Sequence, residues 1–173
     1  MKIETKFNIG DEIEISPGLP IQKNNNVTWE PIYSVITSLI TANKNVKEVK
    51  PGGLIGIGTQ LDPTITKGDS LTGKMVAKPG TLPDVLMAFS METHLLDTVI
   101  GSAREIEVDK IKPREILMLN VGTSTTICTV MNIHKDEMEV SLKYPIISEK
   151  NQRIAIGRRI QNRWRLIGFG IIK

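Results

Sequence analysis

A single cysteine, Cys128, excludes an internal disulfide and any cysteine-cluster metal site. It lies in Ile127-Cys-Thr-Val130, where a small core residue is expected rather than a nucleophile. Only two histidines are present, His94 and His134. They are far apart, without a partner at ligand spacing, and both read as solvated or capping side chains. Aromatic residues make up 4% of the chain, so a core has to be built from Ile, Val, Leu and Met. No apolar run approaches the ~18 residues that a membrane span needs. The start, Met1-Lys-Ile-Glu-Thr-Lys-Phe7, carries charge where a signal peptide would be apolar. A cytoplasmic protein with no membrane partner is expected. No G-x-x-x-x-G-K-[ST] phosphate loop occurs, and no Ser/His/Asp or Cys/His arrangement can be assembled. The residues offer no catalytic site, and the chain is expected not to be an enzyme.

What is present is globular. The 173 residues are 40% hydrophobic and 24% charged, enough for one ordinary domain or two small ones. Charge is unevenly spread. From position 151 to 173 there are six basic residues and no acidic one, while the rest of the chain holds 16 Lys+Arg against all 19 Asp+Glu. Concentrated positive charge is an electrostatic footprint for phosphate or an acidic partner.

Alternation and short β-rich runs dominate, not helix periodicity. Asp11–Ile15 alternates and ends at the turn Ser16-Pro17-Gly18. Pro31–Ile40, Leu54–Thr59, Val85–Met91, Ile116–Val121 and Ile127–Ile133 read as strands. Glu137–Leu142 puts Met138, Val140 and Leu142 on one face. The one helix-like piece is Thr93–Ile100, and its β-branched end speaks against a helix. Asp11/Glu12 and Asp136/Glu137 look like solvated strand edges or hairpin ends, Asp62-Pro63-Thr64 is turn chemistry, and Asn24-Asn25-Asn26 is a surface loop. Such short strands between Gly, Pro and Asn turns indicate antiparallel barrels or sandwiches. Ala77-Lys-Pro79-Gly80-Thr-Leu-Pro83 cannot form a regular element and marks a boundary between two all-β units. The glycines of Gly52-Gly-Leu-Ile-Gly56-Ile-Gly58 suit a bent strand or close backbone approach better than phosphate binding.

In the basic segment, an extended strand sends Arg163 and Arg165 to one face and Trp164 and Leu166 to the other. Ile167, Phe169 and Ile171 have the opposite parity to Trp164, which implies a bulge near Leu166-Ile167 or a strand buried on both faces. Trp164 is expected to be a core anchor. The arginines can bind RNA phosphates or pair with acidic neighbours, and both readings stand.

Three segments carry a resemblance: Ile116-Leu-Met-Leu-Asn-Val-Gly122-Thr-Ser-Thr-Thr126, Arg158-Arg159-Ile160, and Arg163-Trp164-Arg165-Leu-Ile-Gly168-Phe-Gly170. They resemble the third domain of the translation initiation factor 2 gamma subunit family. Gly10-Asp-Glu-Ile-Glu-Ile-Ser-Pro-Gly18, Glu30-Pro-Ile32, Pro51–Gly58 and Leu61-Asp-Pro63 resemble its second domain. Lys78-Pro-Gly-Thr81 is similar to the interdomain link of the relative elongation factor Tu. The compact Ser102–Arg114 stretch is closer to the archaeal form.

The resemblance implies an all-β chain of two small antiparallel β-barrel domains of the translational-GTPase type, residues 1–80 and 81–173. The opening strands of the first would be missing. It also implies a C-terminal portion without the GTPase domain, so that GTP and magnesium are cofactors of a part not seen here and none belongs to this chain. In the complete factor the family binds initiator methionyl-tRNA and GTP, docks the alpha subunit, and delivers the tRNA to the small ribosomal subunit. Gly56, Ile57, Gly58 and Thr59 would form one wall for the CCA end of the tRNA. A Gly58→Val change would then weaken tRNA binding and leave the barrel folded. Arg158, Arg159, Arg163 and Arg165 are candidate phosphate or interdomain contacts. The alternative is a stand-alone basic β-barrel that binds RNA directly.

Overall fold

A computed structural model of the chain describes residues 2–3, 5–23, 26–101 and 105–173. The expected loop residues Asn24 and Asn25, and Ser102–Arg104 of the compact stretch, lie outside them. The chain divides into two compact units, Met1–Pro83 and Asp84–Lys173.

The first unit contains β1 (Lys2–Ile3), β2 (Phe7–Asn8), β3 (Glu12–Lys23), β4 (Asn26–Thr41), β5 (Lys44–Asn45), β6 (Glu48–Val49), β7 (Ile55–Thr59) and β8 (Met75–Ala77). A short 3-10 segment, Pro63–Asp69, follows β7. Asp62 caps it, its Oδ1 accepting from the Thr64 backbone N–H at 2.8 Å, which lowers the carboxyl's pKa. The main sheet runs β1-β8-β3-β4-β5, with β7 on β4, and β2 pairs separately with β6. The described pairings leave this sheet open rather than closed into a ring. Its core is Phe7, Ile13, Ile15, Ile36, Leu39, Val49 and Val76, with Ile55 and Ile57 packed against it. Ile13 and Ile15 come from the alternating Asp11–Ile15 run, so period-two patterning chose the inward face.

The second unit is a closed six-stranded antiparallel barrel. It is built from β9 (Val85–Ile100), β10 (Ile116–Val121), β11 (Ser124–His134), β12 (Glu137–Ile147), β13 (Arg153–Ile160) and β14 (Arg163–Ile172). The ring order is β10-β11-β12-β9-β14-β13. Closure leaves no unpaired sheet edge. Inward residues alternate along each strand: Leu117, Leu119 and Val121; Cys128 and Val130; Met138, Val140 and Leu142; Ile154 and Ile156. Thr93–Ile100 is strand, because its branched side chains fit a pleated surface and the segment pairs with β14. Cys128 is buried in this core, and burial pushes its thiol up to about 11.

The bulge expected near Leu166-Ile167 is present. Ile156 pairs with Gly168 while Gly157 pairs with Leu166, so Ile167 is the extra residue. Ile167, Gly168, Gly170 and Ile172 are buried. Trp164 is not a core anchor: it is 37% exposed, as is Leu166. The reason is close packing. A Cβ at Gly168 would overlap the His94 carbonyl oxygen, and one at Gly170 would meet Met91 Sδ. The glycines therefore take the inward positions, and the bulge carries Trp164 and Leu166 outward.

Candidate functional site

Gly56, Ile57, Gly58 and Thr59 lie together on β7, which pairs only with β4 among the described residues. Ile55 and Ile57 turn inward to the core, which leaves Gly56 and Gly58 on the other face. Across the ladder Gly56 faces Ile40 and Gly58 faces Ser38. The result is a strip with no side chains on β7, bordered by exposed Ile40 and by Leu54, which is 92% exposed. At Gly56 this strip admits a flat group against backbone. The two glycines differ in their surroundings. A Cβ on Gly56 would sit 3.5 Å from Ile40 Cβ, an ordinary contact, whereas one on Gly58 would overlap Ser38 Oγ and crowd Thr37 Oγ1. A valine at 58 therefore has to displace the Ser38 and Thr37 side chains on β4, and Gly56 is the cleaner position to probe.

The four arginines separate into two groups. Arg158 is a brace. Its Nε donates to Glu115 Oε1 at 2.5 Å and its Nη2 to Glu115 Oε2 at 3.2 Å. Its Nη1 and Nη2 also donate to the carbonyls of Asp109 and Lys110, at 2.8 and 3.4 Å. This bidentate, partly buried pair ties β13 to the segment entering β10, and the guanidinium has few donors left for a phosphate. Arg159, Arg163 and Arg165 have no acceptor among the described residues. Arg159 stands directly across from Trp164, and Arg165 across from Arg158. Trp164, Leu166 and Ile100 form an apolar neighbourhood beside them, Leu166 pairing with Ile100.

Further down β14, Arg153 lies over the Phe169 ring at 4.4 Å, and Phe169 stacks on His94 at 4.7 Å. His94 Nε2 is 2.9 Å from Glu92 Oε1. His94 is thus a half-exposed, solvated side chain that also takes part in a surface stack. Sequence reasoning missed Glu115, the residue that removes Arg158 from the free set. It lies 43 positions away from Arg158, and only the β10–β13 pairing brings the two together.

A family model described as "Initiation factor eIF2 gamma, C terminal" matches residues 87–172, nearly the whole of the second unit. Similarity to whole relatives extends across both units. Translation initiation factor 2 subunit gamma of Methanothermobacter thermautotrophicus is 49% identical over 171 residues, 99% of this chain. The same-named proteins of Pyrococcus horikoshii and Methanococcus aeolicus are each 48% identical over the same span. This chain belongs to the translation initiation factor 2 gamma family. It spans 42% of the length of these relatives and corresponds to their C-terminal part. In this member of the initiation factor 2 gamma family the two surfaces described above belong to separate units: the glycine strip to the first, the arginine–tryptophan hairpin to the second. Among the described residues no helix is long and apolar enough to cross a membrane.

Proposed function

We propose that this chain is the non-catalytic β-barrel portion of an initiation factor 2 gamma subunit. In the complete factor it serves the binding of initiator methionyl-tRNA, docks the alpha subunit, and takes part in delivery to the small ribosomal subunit in the cytoplasm. GTP and magnesium belong to a GTPase domain of the same protein, not to these residues. The first unit corresponds to the family's second domain and the second unit to its third.

The observation that carries this reading is the open backbone at Gly56, beside Gly58, whose outer face is lined by the Ser38 and Thr37 hydroxyls. An unpaired terminal adenosine is recognised by stacking, apolar and backbone contacts, and side chains at these positions would hold it off. Gly56→Val, in the complete factor, is expected to weaken binding of aminoacylated initiator tRNA at least tenfold with the fold retained. Protection of the methionyl ester from hydrolysis measures that affinity, and circular dichroism checks the fold. Unchanged protection by a folded variant removes the assignment of this wall. Arg159, Arg163 and Arg165 are read as contacts to the GTPase domain, with Trp164 as the apolar centre of that contact.

The exposure of Trp164 among unpaired arginines also favours a second reading, direct RNA binding by the hairpin. An aromatic platform beside free guanidinium groups is the usual composition of a single-strand RNA site. The two readings separate in the isolated chain, which binds RNA in a salt-dependent manner only under the second.

A further inference from the structure

Beyond Ile15 the β3–β4 ladder is interrupted. Ile15 pairs with Ile32 and Leu19 with Glu30, so Ser16, Pro17 and Gly18 oppose Pro31 alone. Past this bulge, Leu19–Lys23 and Asn26–Glu30 pair only with each other among the described residues. No described side chain of this two-stranded arm belongs to the hydrophobic core. Ile21 and Val27 on it are exposed. An isolated two-stranded ribbon is marginal in water, so something at its base has to hold it.

Lys74, just ahead of β8, is at that base. It is 7% exposed, and burial lowers its pKa. Its Nζ donates to the Gly18 carbonyl at 2.5 Å and lies 5.0 Å from the Trp29 ring centroid. Gly18 has φ +78°, and a Cβ there would overlap the Glu30 carbonyl oxygen, so the bulge apex is pressed directly onto the opposite strand. One ammonium therefore touches the apex of the bulge and an arm residue at once. No carboxylate pairs with it among the described residues. A buried charge without an ion-pair partner is an expensive choice for stability alone, since an apolar side chain of similar length would avoid the desolvation cost.

We propose that Lys74 is a latch that fixes the β3–β4 arm on the first unit, by holding the Gly18 carbonyl and the Trp29 ring together. The latch sets the direction of the arm rather than the stability of the sheet beneath it. Its cation is required, because an apolar side chain neither donates to Gly18 nor attracts the ring face.

Amide hydrogen exchange on the full chain tests this. Lys74→Met is expected to accelerate exchange across residues 19–30 at least tenfold, with residues 32–40 and the second unit unchanged. Lys74→Arg, which keeps a cation and donors, is expected to retain more of the arm's protection than Lys74→Met. Trp29→Leu removes the ring while leaving the buried ammonium in place, and is expected to loosen the same residues. It decides the matter if Lys74→Met does not fold. Unchanged exchange in the arm overturns the proposal. So does acceleration spread evenly through the first unit, which would make Lys74 an ordinary stabilising residue.

Discussion

At the scale of single residues, the alternation of the sequence located most buried side chains but not their chemistry. Met138, Val140 and Leu142 are buried where their spacing put them. Cys128 is a core residue, with burial raising its thiol to about 11. The native thiol is therefore both inaccessible and protonated at neutral pH. A colorimetric disulfide reagent at pH 8 is expected to leave Cys128 unmodified in the folded chain and to titrate one thiol per chain in denaturant. Rapid modification of the folded chain would mean that the barrel opens far more readily than its packing implies. Lys74 and Glu115 were not legible. Each is an ordinary charged residue in sequence, and its meaning depends on a partner 56 or 43 positions away. Trp164 was misread for a related reason. Its face was correctly separated from that of Arg163 and Arg165, but which face points inward is settled by the close packing at Gly168 and Gly170.

Among the elements, strand existence was legible nearly throughout, since β-branched runs between turn residues leave little choice. Ile116–Val121 is strand over the very residues expected, and the helix-like Thr93–Ile100 joins β9. Pairing was not legible. The ring order depends on long-range ladders such as β9 with β14, which no local pattern encodes. The Arg158–Glu115 brace belongs at this scale, because it joins β13 to the segment entering β10. Glu115→Ala leaves a partly buried guanidinium with only two carbonyl acceptors and is expected to destabilise the second unit by about 2 kcal/mol. Thermal or denaturant unfolding measures this, and a loss below about 0.5 kcal/mol, the range of ordinary surface substitutions, would show that the pair is decorative.

For the whole molecule, the +3 net charge is owed to the C-terminal segment, but the structure redistributes its meaning. Arg158 is neutralised by Glu115, and Arg153 lies on Phe169. Lys173 pairs with Glu137, so of this segment's six basic residues Arg159, Arg163 and Arg165 remain for a phosphate partner. Three phosphate contacts to single-stranded RNA would give a log–log slope of affinity against salt of about −2. The isolated chain is expected to show no such binding by filter retention or anisotropy. A salt slope near that value, abolished by Arg159→Ala with Arg163→Ala, would transfer the hairpin to the RNA-binding reading. The glycine strip was legible as a place of close approach, though not the difference between Gly56 and Gly58, which lies in the Ser38 hydroxyl across the ladder.

The extra residue at Ile167 has a consequence for how this hairpin can diversify. It works as a phase break in a two-letter code of inside and outside. After it, Gly168, Gly170 and Ile172 fall on the lining of the barrel, whereas before it Trp164 and Leu166, of the same parity, fall on the surface. The tip can therefore be rewritten to suit a different neighbour without a single compensating change in the lining, as long as the break is kept.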